Sequence, residues 1–267
     1  MPVDPKAVCL FIPSNLKKFK LNLFERIGRH IESLGGRVIR NGNIPALESL
    51  PPDIIPIVGC MPELTALIAQ WKATKRARIQ WDRGYARRVF ATWLPRGENG
   101  GYYRWHSNHF QMRDIRAVPP DRWNALNIEV KPWAKGGRHI VIAAPTPTYE
   151  KFHGIETWTD TTIRYLAKHS DRQIVIRHKD SSRPLQADLA GAHCVVANGS
   201  MAGVEAAICG CPVFDNPESA AALVGLTDLT KIEQPIYPDR QPWLNALAYS
   251  QFNERELCDG TLWRLMQ

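Results

Sequence analysis

The sequence lacks any run of about 18 consecutive apolar residues, so we predict no transmembrane helix. Its start, "MPVDPKAVCLFIPSN", has one basic residue before a short apolar run and lacks the arrangement of a secretory signal, so we expect a cytoplasmic location. None of the six cysteines forms a CxxC pair, which argues against a zinc site or a disulfide framework and favours free thiols. No DxD-type motif lies in a suitable loop, so we expect no bound metal ion.

Acidic residues are few in the N-terminal half of the chain. Residues 1–135 contain 22 Lys and Arg against 11 Asp and Glu, whereas residues 136–267 contain 12 against 15. The net charges are therefore +11 and −3, and the whole excess of +8 belongs to the N-terminal half. This asymmetry favours a half that binds a polyanion or an acidic surface, with solubility alone as the simpler alternative.

Strand and helix patterns alternate along both halves of the chain. In the first half, amphipathic segments that start with proline or end with glycine predict helices at 22–35 and 62–75. Apolar runs there predict strands at 7–13, 37–41, 54–59 and 78–81. In the second half the same patterns predict strands at 138–145, 172–178, 192–198 and 211–214, and helices at 157–170 and 201–210, with two more within 241–266.

The stretch from 82 to 137 interrupts this alternation. It is rich in glycine, proline, aromatic residues and arginine, and it predicts an irregular excursion or short hairpin followed by a linker at 131–137. We therefore predict an α/β fold with two Rossmann-like units, at 1–135 and 136–267, that face each other across a cleft. Small ligands commonly bind in such clefts.

Asn198, Gly199 and Ser200 form the turn between a predicted strand and a predicted helix. The unpaired N–H groups and the positive dipole end at a helix N-terminus favour a phosphate. Gly199 permits close approach of the backbone, and the Ser200 hydroxyl caps the helix or donates to a phosphate oxygen. Glu205, one to two turns into the helix, is placed to accept hydrogen bonds from ribose hydroxyls. An ordinary strand–turn–helix with a serine cap is the alternative.

The segment "NGSMAGVEAAICGCPVF" (198–214) resembles the nucleotide-binding motif of the GT-B glycosyltransferase superfamily. It is most similar to the versions in capsule-polysaccharide and Kdo-transferase-like proteins and in phage-encoded glycosyltransferase-like proteins. The resemblance implies a metal-independent GT-B transferase with no cofactor, a nucleotide sugar as its substrate and a UDP-sugar as the favoured donor. It also implies that the C-terminal domain binds the donor and the basic N-terminal domain binds the acceptor.

Two further segments extend the predicted donor site. "IVIRHKD" (174–180) is similar to a basic loop of these families, although Lys179 replaces their usual proline, and "AAPTPT" (143–148) follows a predicted strand at the cleft. The complete predicted set is Thr146, Arg177, His178, Lys179, Asn198, Gly199, Ser200, Met201 and Glu205.

Transfer of a sugar to a hydroxyl group needs a base that accepts the proton. Asp82 follows a predicted strand and is the first candidate, with His106 and His109 in the irregular stretch as the others. A structural role is the alternative for each of them.

Basic and aromatic residues are interleaved between positions 70 and 105. Basic groups neutralise phosphates and aromatic rings stack on unstacked bases, so we predict a nucleic-acid-binding surface, with a solvated helix face and core aromatics as the alternative. Its residues are Lys72, Lys75, Arg76, Arg78, Trp81, Arg83, Tyr85, Arg87, Arg88, Tyr103, Arg104 and Trp105.

Three functions are compatible with these patterns. The first, which the basic N-terminal half favours, is a phage-type transferase that glycosylates a hydroxymethylated pyrimidine, such as 5-hydroxymethylcytosine, in double-stranded DNA. The second is a transferase for a cell-envelope glycan or lipid-linked saccharide. The third is no transferase at all, but a nucleic-acid-binding module or a nucleotide-sugar epimerase. Salt-sensitive DNA binding would separate the first from the second.

Overall fold

The computed structural model describes residues 3–12, 18–40, 49–59, 69–70, 73–87 and 101–266. The strands within these ranges are β1 Val8–Ile12, β2 Arg37–Arg40, β3 Ile55–Gly59, β4 Ile79–Arg83, β5 Tyr102–Ser107, β6 His139–Ala143, β7 Gln173–Arg177, β8 Ala192–Val196, β9 Val213–Phe214 and β10 Gln251–Asn253. The α-helices are α1 Lys18–Ser33, α2 Asp121–Ala125, α3 Pro147–His153, α4 Trp158–Leu166, α5 Leu185–Leu189, α6 Met201–Ile208, α7 Gln241–Tyr249 and α8 Thr261–Leu265.

The chain divides into two compact units, each with its own sheet. Unit 1 comprises Met1–Ala91, Pro95–Phe110 and Tyr249–Gln267, and unit 2 comprises Thr92–Leu94 and Gln111–Ala248. Among the described residues, these bounds differ from the predicted domains at 1–135 and 136–267 in two places. Residues 111–135 belong with the second unit, and the last 19 residues return to the first.

The sheet of unit 1 has the strand order β10-β5-β4-β3-β1-β2. β2, β1, β3 and β4 are parallel to their neighbours, whereas β5 and β10 are antiparallel additions at one edge. All five residues of β1 are buried, as expected for a strand covered on both faces. The predicted strands at 7–13, 37–41, 54–59 and 78–81 are confirmed, whereas most of the predicted helix at 62–75 lies outside the described residues.

The core of unit 1 joins its first helix to its last residues. Helix α1 buries apolar side chains at helical spacing, including Leu23, Ile27 and Ile31, against β1. Phe252 of β10 and Leu262 of α8 belong to the same apolar cluster. Residues separated by more than two hundred positions therefore share one core.

The C-terminal segment contains the two helices predicted within 241–266, α7 and the short α8, and also a strand that was not predicted. This strand lies between the helices, where Phe252 pairs with Tyr103 in an antiparallel ladder. The Gln251 side chain reinforces this ladder, because its Oε1 accepts hydrogen bonds from the backbone N–H groups of Tyr85 (2.7 Å) and Ala86 (2.9 Å). The short β10 is three residues long, so its apolar periodicity is too brief to show in the sequence.

Unit 2 contains a four-stranded parallel sheet in the order β7-β6-β8-β9. Its core includes Ile140 and Ile142 of β6, Val196 of β8 and Leu166 of α4. The predicted strands of this half and the helices at 157–170 and 201–210 are confirmed, with α4 ending a few residues early. No helix among the described residues is long and apolar enough to cross a membrane. The five cysteines in those residues are free, and Cys60 lies outside them.

Shortening Phe252 to alanine tests the role of the C-terminal return. The ring is 1% exposed in the core of unit 1, so we expect Phe252→Ala to lower the free energy of unfolding by about 3–5 kcal/mol. Chemical denaturation measures this change. Ile236→Ala removes an exposed side chain of unit 2 and should stay within about 0.5 kcal/mol of the wild type. Equal stability of the two variants would contradict this packing.

Candidate functional site

The strand order of unit 2 places a topological switch point between β6 and β8. From β6 the chain passes through α3 and α4 to β7 on one side, and from β7 it returns through α5 to β8 on the other. In open parallel sheets, ligands bind outside the carboxyl ends of the strands at such a point. The segments that leave β6 and β8 here are residues 144–146 and 197–200.

Residues 198–201, the glycine–serine loop, lead into α6. Ser200 is the N-cap of the helix, and its Oγ accepts a hydrogen bond from the N–H of Ala202 at 3.2 Å. Gly199 has φ +68°, in the left-handed region that favours glycine. A Cβ atom on Gly199 would also overlap the hydroxyl of Tyr149 in α3. Two independent constraints therefore require glycine at this position.

A buried carboxylate lies beneath the glycine–serine loop. Asp215, directly after β9, accepts hydrogen bonds at Oδ1 from the backbone N–H groups of Gly199 (2.7 Å) and Asn216 (2.8 Å). Its Oδ2 accepts from Ser219 Oγ at 2.7 Å. Burial raises the pKa of Asp215 to about 6, although these three hydrogen bonds act in the opposite direction. Gly203 admits the carboxylate, since a Cβ there would lie 2.7 Å from Asp215 Oδ2.

Whereas Asp215 binds Gly199 at its N–H group, the Gln111 side chain binds it at its carbonyl group. Its Nε2 donates to the Gly199 carbonyl oxygen at 2.6 Å, and its Oε1 accepts from the N–H of Ala220 at 3.0 Å. The Asn216 side-chain amide donates to Asn198 Oδ1. Sequence reasoning missed Asp215, Gln111 and Tyr149. The Asp-Asn pair directly after a predicted strand was the one local signal for any of them.

The structure brings the predicted donor-loop residues together at the switch point but buries one of them. Asn198, Ser200 and Met201 are partly exposed, and Thr146 caps α3 by accepting from the N–H of Tyr149 at 3.3 Å. Glu205 lies on α6 as predicted, but it is only 5% exposed rather than on an open helix face.

The predicted basic loop follows β7, on the far side of β6 from the glycine–serine loop. Arg177 forms an ion pair with the buried Asp188, and its Nη2 donates to the carbonyl oxygen of Arg183 at 2.9 Å. His178 and Lys179 are exposed. The guanidinium of Arg177 is thus engaged within its own loop, and its role in phosphate binding remains a prediction, as does that of His178 and Lys179.

Two of the predicted bases lie in one polar network of unit 1. Asp82 Oδ2 pairs with Arg104 Nη2 at 2.7 Å, and its Oδ1 accepts from the N–H of Arg83 at 2.7 Å. His106 Nε2 is hydrogen-bonded to the Tyr85 hydroxyl at 2.7 Å. Arg104 lies 5.6 Å from the centroid of the Tyr85 ring and links the two pairs. His109 is exposed beyond the end of β5.

Most of the aromatic residues predicted to contact nucleic acid are in the interior of unit 1. Tyr85, Tyr103 and Trp105 are buried, and so are the basic residues Arg78 and Arg104. Trp81 is partly buried against Phe24 and Tyr103. These side chains stabilise the unit and do not form an accessible surface. The remaining predicted residues are Lys75, Arg76, Arg83 and Arg87, which are at least partly exposed, and Lys72 and Arg88, which lie outside the described residues.

Gln80 is a further buried polar residue of β4. It lies opposite His106 in the β4–β5 ladder and is 1% exposed. Neither its Oε1 nor its Nε2 has a hydrogen-bond partner in the described part of the chain. Within that part, no group of three histidine, cysteine, aspartate or glutamate side chains is arranged to hold a metal ion.

Replacing Gln80 by leucine should stabilise the protein. The amide gives up its hydrogen bonds to water on folding and finds no replacement among the residues that the structure describes, so we expect Gln80→Leu to raise the free energy of unfolding by about 1–2 kcal/mol. Gln251→Leu is the matched control, since it leaves the N–H groups of Tyr85 and Ala86 without their acceptor and should destabilise by about 2 kcal/mol. Denaturant unfolding compares the two, and a loss of stability in Gln80→Leu would contradict the expectation.

The raised pKa of Asp215 predicts a pH-dependent stability. Between about pH 4 and pH 6 the folded protein binds more protons at this group than the unfolded chain, so the stability it contributes is lost as pH rises through that window. Relative to Asp215→Asn, the wild type should lose up to about 3 kcal/mol of unfolding free energy between pH 4 and pH 7. Denaturant titrations at several pH values measure the difference.

Asp228→Asn provides the control for this trend. The hydrogen bonds from Thr230 lower the pKa of Asp228, so any stability it contributes is lost at more acidic pH than the window of Asp215. The difference between wild type and Asp228→Asn should therefore stay constant between pH 5 and pH 7. If the difference in unfolding free energy between the wild type and Asp215→Asn were equally constant over this pH range, the raised pKa of Asp215 would be refuted.

Comparisons with known proteins identify a solved structure of similar fold. No model of a known protein family matches the chain, and no curated protein matches it in sequence. Among solved structures it is similar to KpsC of Thermosulfurimonas dismutans, described as a β-Kdo 2,7-transferase, with a TM-score of 0.55 and 14% sequence identity. The alignment covers 95% of this chain and 99% of that one. The chain thus has the α/β fold of a Kdo transferase, as the resemblance of its 198–214 segment implied.

Proposed function

We propose that the protein is a glycosyltransferase that binds a nucleotide-sugar donor at the glycine–serine loop of unit 2. The observation that carries the proposal is the loop itself, which is held in one conformation at the N-terminus of α6, at the switch point of a parallel sheet. The shared fold with a Kdo transferase over nearly the whole chain supports it.

The reaction moves a glycosyl group from phosphate to a hydroxyl group. The acceptor oxygen attacks the anomeric carbon, the bond from that carbon to the phosphate oxygen breaks, and the nucleotide leaves with the bonding electron pair. The dipole and N–H groups at the start of α6 stabilise the developing negative charge, and the Ser200 hydroxyl donates to a phosphate oxygen. Glu205 accepts from the ribose hydroxyls if the side chain turns outward when the donor binds.

The base that removes the acceptor proton comes from unit 1 in this proposal. Both oxygens of Asp82 already accept hydrogen bonds, from Arg104 and from the N–H of Arg83, so this carboxylate is committed to contacts within unit 1. His106 is an imidazole oriented by the Tyr85 hydroxyl, and imidazole exchanges protons near neutral pH. We therefore rank His106 ahead of Asp82 and His109.

A cell-envelope saccharide is the acceptor that we favour. The similar structure is that of an enzyme described as transferring Kdo, a sugar, and five residues predicted to contact DNA are buried in unit 1. The second candidate acceptor is DNA with hydroxymethylated pyrimidines. The excess of 22 basic over 11 acidic residues in the N-terminal half is the observation in its favour.

The first experiment offers pooled UDP-, GDP- and CMP-sugars together with three acceptors. These are a Kdo-containing oligosaccharide, DNA with 5-hydroxymethylcytosine, and unmodified DNA, and mass spectrometry detects the product. We expect a mass gain of one sugar on the oligosaccharide. A gain confined to the hydroxymethylated base would establish the DNA acceptor instead. Conversion of the donor into another sugar without acceptor would identify an epimerase and refute the transferase proposal.

His106→Ala tests the assigned base. Loss of a general base lowers kcat by about 10²- to 10⁴-fold, whereas donor binding in unit 2 should be unchanged. His169→Ala in unit 2, which removes a histidine ring that packs against Tyr165, serves as the control and should retain full activity. Unchanged kcat in His106→Ala would assign the base to Asp82 or His109 instead. Alanine substitutions of these two residues, assayed for kcat in the same way, then distinguish them.

A further inference from the structure

We propose that Asp215 and Gln111 are positioning residues that hold the glycine–serine loop in its phosphate-binding conformation from opposite sides of Gly199. The inference rests on the proposed function, because it assigns these two residues to the donor site. Neither residue belongs to the segment that resembles the nucleotide-binding motif up to Phe214, and neither contacts the donor in this proposal.

The two side chains fix the backbone groups on either side of one Cα atom. The Gly199 N–H donates to Asp215 Oδ1, and the Gly199 carbonyl oxygen accepts from Gln111 Nε2. Both bonds come from outside the loop, one from the end of β9 and one from a residue 88 positions earlier in the chain. Glycine in the left-handed region has the widest choice of alternative conformations, so this is the residue at which an unheld loop would move first.

The two hydrogen bonds from Asp215 and Gln111 to Gly199, here called the clamp, also determine which groups face a phosphate. The Gly199 N–H points inward to Asp215, so it is not a phosphate donor in this conformation. Contacts then fall to the Ser200 hydroxyl, whose oxygen accepts from Ala202 N and whose hydrogen remains to donate, and to the first N–H groups of α6. Releasing either bond would let the loop populate conformations in which these groups no longer converge.

The Asp215 side of the clamp is maintained at a cost to the fold. A carboxylate buried at this depth is disfavoured in its charged form, as the raised pKa of Asp215 indicates. Buried polar groups that weaken the fold are typical of sites where geometry serves a ligand. Ser219 and Asn216 extend the same network, because each donates to Asp215 and Asn216 also donates to Asn198 of the loop.

Nucleotide binding to paired variants tests the proposal. UDP, GDP and CMP are titrated into the full-length wild type by calorimetry, and the tightest-binding nucleotide is used for all variants. Asp215→Ala and Gln111→Ala should weaken its binding by about 10- to 100-fold, because the binding conformation becomes a minor one. Asp215→Asn should bind within about threefold of the wild type, since its amide oxygen still accepts from Gly199 and Asn216.

Gln111→Glu separates positioning from folding. It keeps the acceptor for Ala220 N–H but replaces the donor to the Gly199 carbonyl by a second oxygen, so we expect binding to weaken about tenfold with the protein still folded. Asp228→Ala and Gln241→Ala remove comparable side-chain hydrogen bonds elsewhere in unit 2 and should bind as the wild type does. Thermal unfolding of every variant verifies the folded state.

The outcomes distinguish the inference from the proposed function. Failure of the wild type to bind any of the three nucleotides would overturn both. Binding by the wild type together with unchanged affinity in Asp215→Ala and Gln111→Glu would overturn the clamp alone. Equal weakening in Asp215→Ala and Asp215→Asn would also overturn it, because the hydrogen bond to Gly199 would not then be the cause.

Discussion

The hydrogen bonds of the buried Asp215 carboxylate impose the geometry of the candidate site in unit 2. One side chain accepts from the N–H groups of Gly199 and Asn216 and from the Ser219 hydroxyl, and it thereby joins the segment after β8 to the segment after β9. The small residues of the motif follow from this contact. Gly203 leaves room for the carboxylate, whereas Gly199 supplies a left-handed turn beneath the Tyr149 hydroxyl. Two glycines four residues apart are thus required for different physical reasons.

Helix α6 is held at its other end by an arginine that no pattern in the sequence singles out. Arg240 is buried, lies 4.0 Å from the centroid of the Trp133 ring, and donates to the carbonyl oxygens of Ala207 and Lys131. A cation at this position complements the negative end of the helix dipole and satisfies a terminal carbonyl group. The backbone N–H of Lys131 also donates to the carbonyl of Ile208 at 3.2 Å. The predicted linker at 131–137 is therefore packed against the end of α6 and belongs to unit 2.

The sequence predicted the parts of the fold that depend on local pattern. The buried strands of both sheets and the amphipathic α1 carry strong periodicity, and the Ser200 cap follows a well-known preference at helix starts. It did not predict the contacts that depend on distant pairing. Gln111 reaches Gly199 across 88 positions, and β10, which is too short to show a period, pairs with β5 more than 140 positions earlier in the chain. Glu205 was predicted at the correct place on the helix, but its burial depends on packing that no spacing reveals.

Charge composition was the weakest guide, and the arginines of unit 1 show why. A guanidinium has five N–H donors and is well suited to backbone carbonyls that no ladder satisfies. Arg104 donates to the carbonyl oxygens of Phe110 and Arg83 as well as to Asp82, and Arg78 donates to the carbonyl of Asn108. These residues add to the net charge of the N-terminal half, yet their hydrogen-bonding groups serve the loops around β4 and β5. A basic sequence therefore indicates a polyanion-binding surface only after the arginines that support the backbone have been set aside. In the N-terminal half of this chain, fewer basic groups are therefore exposed than the count of basic residues suggests.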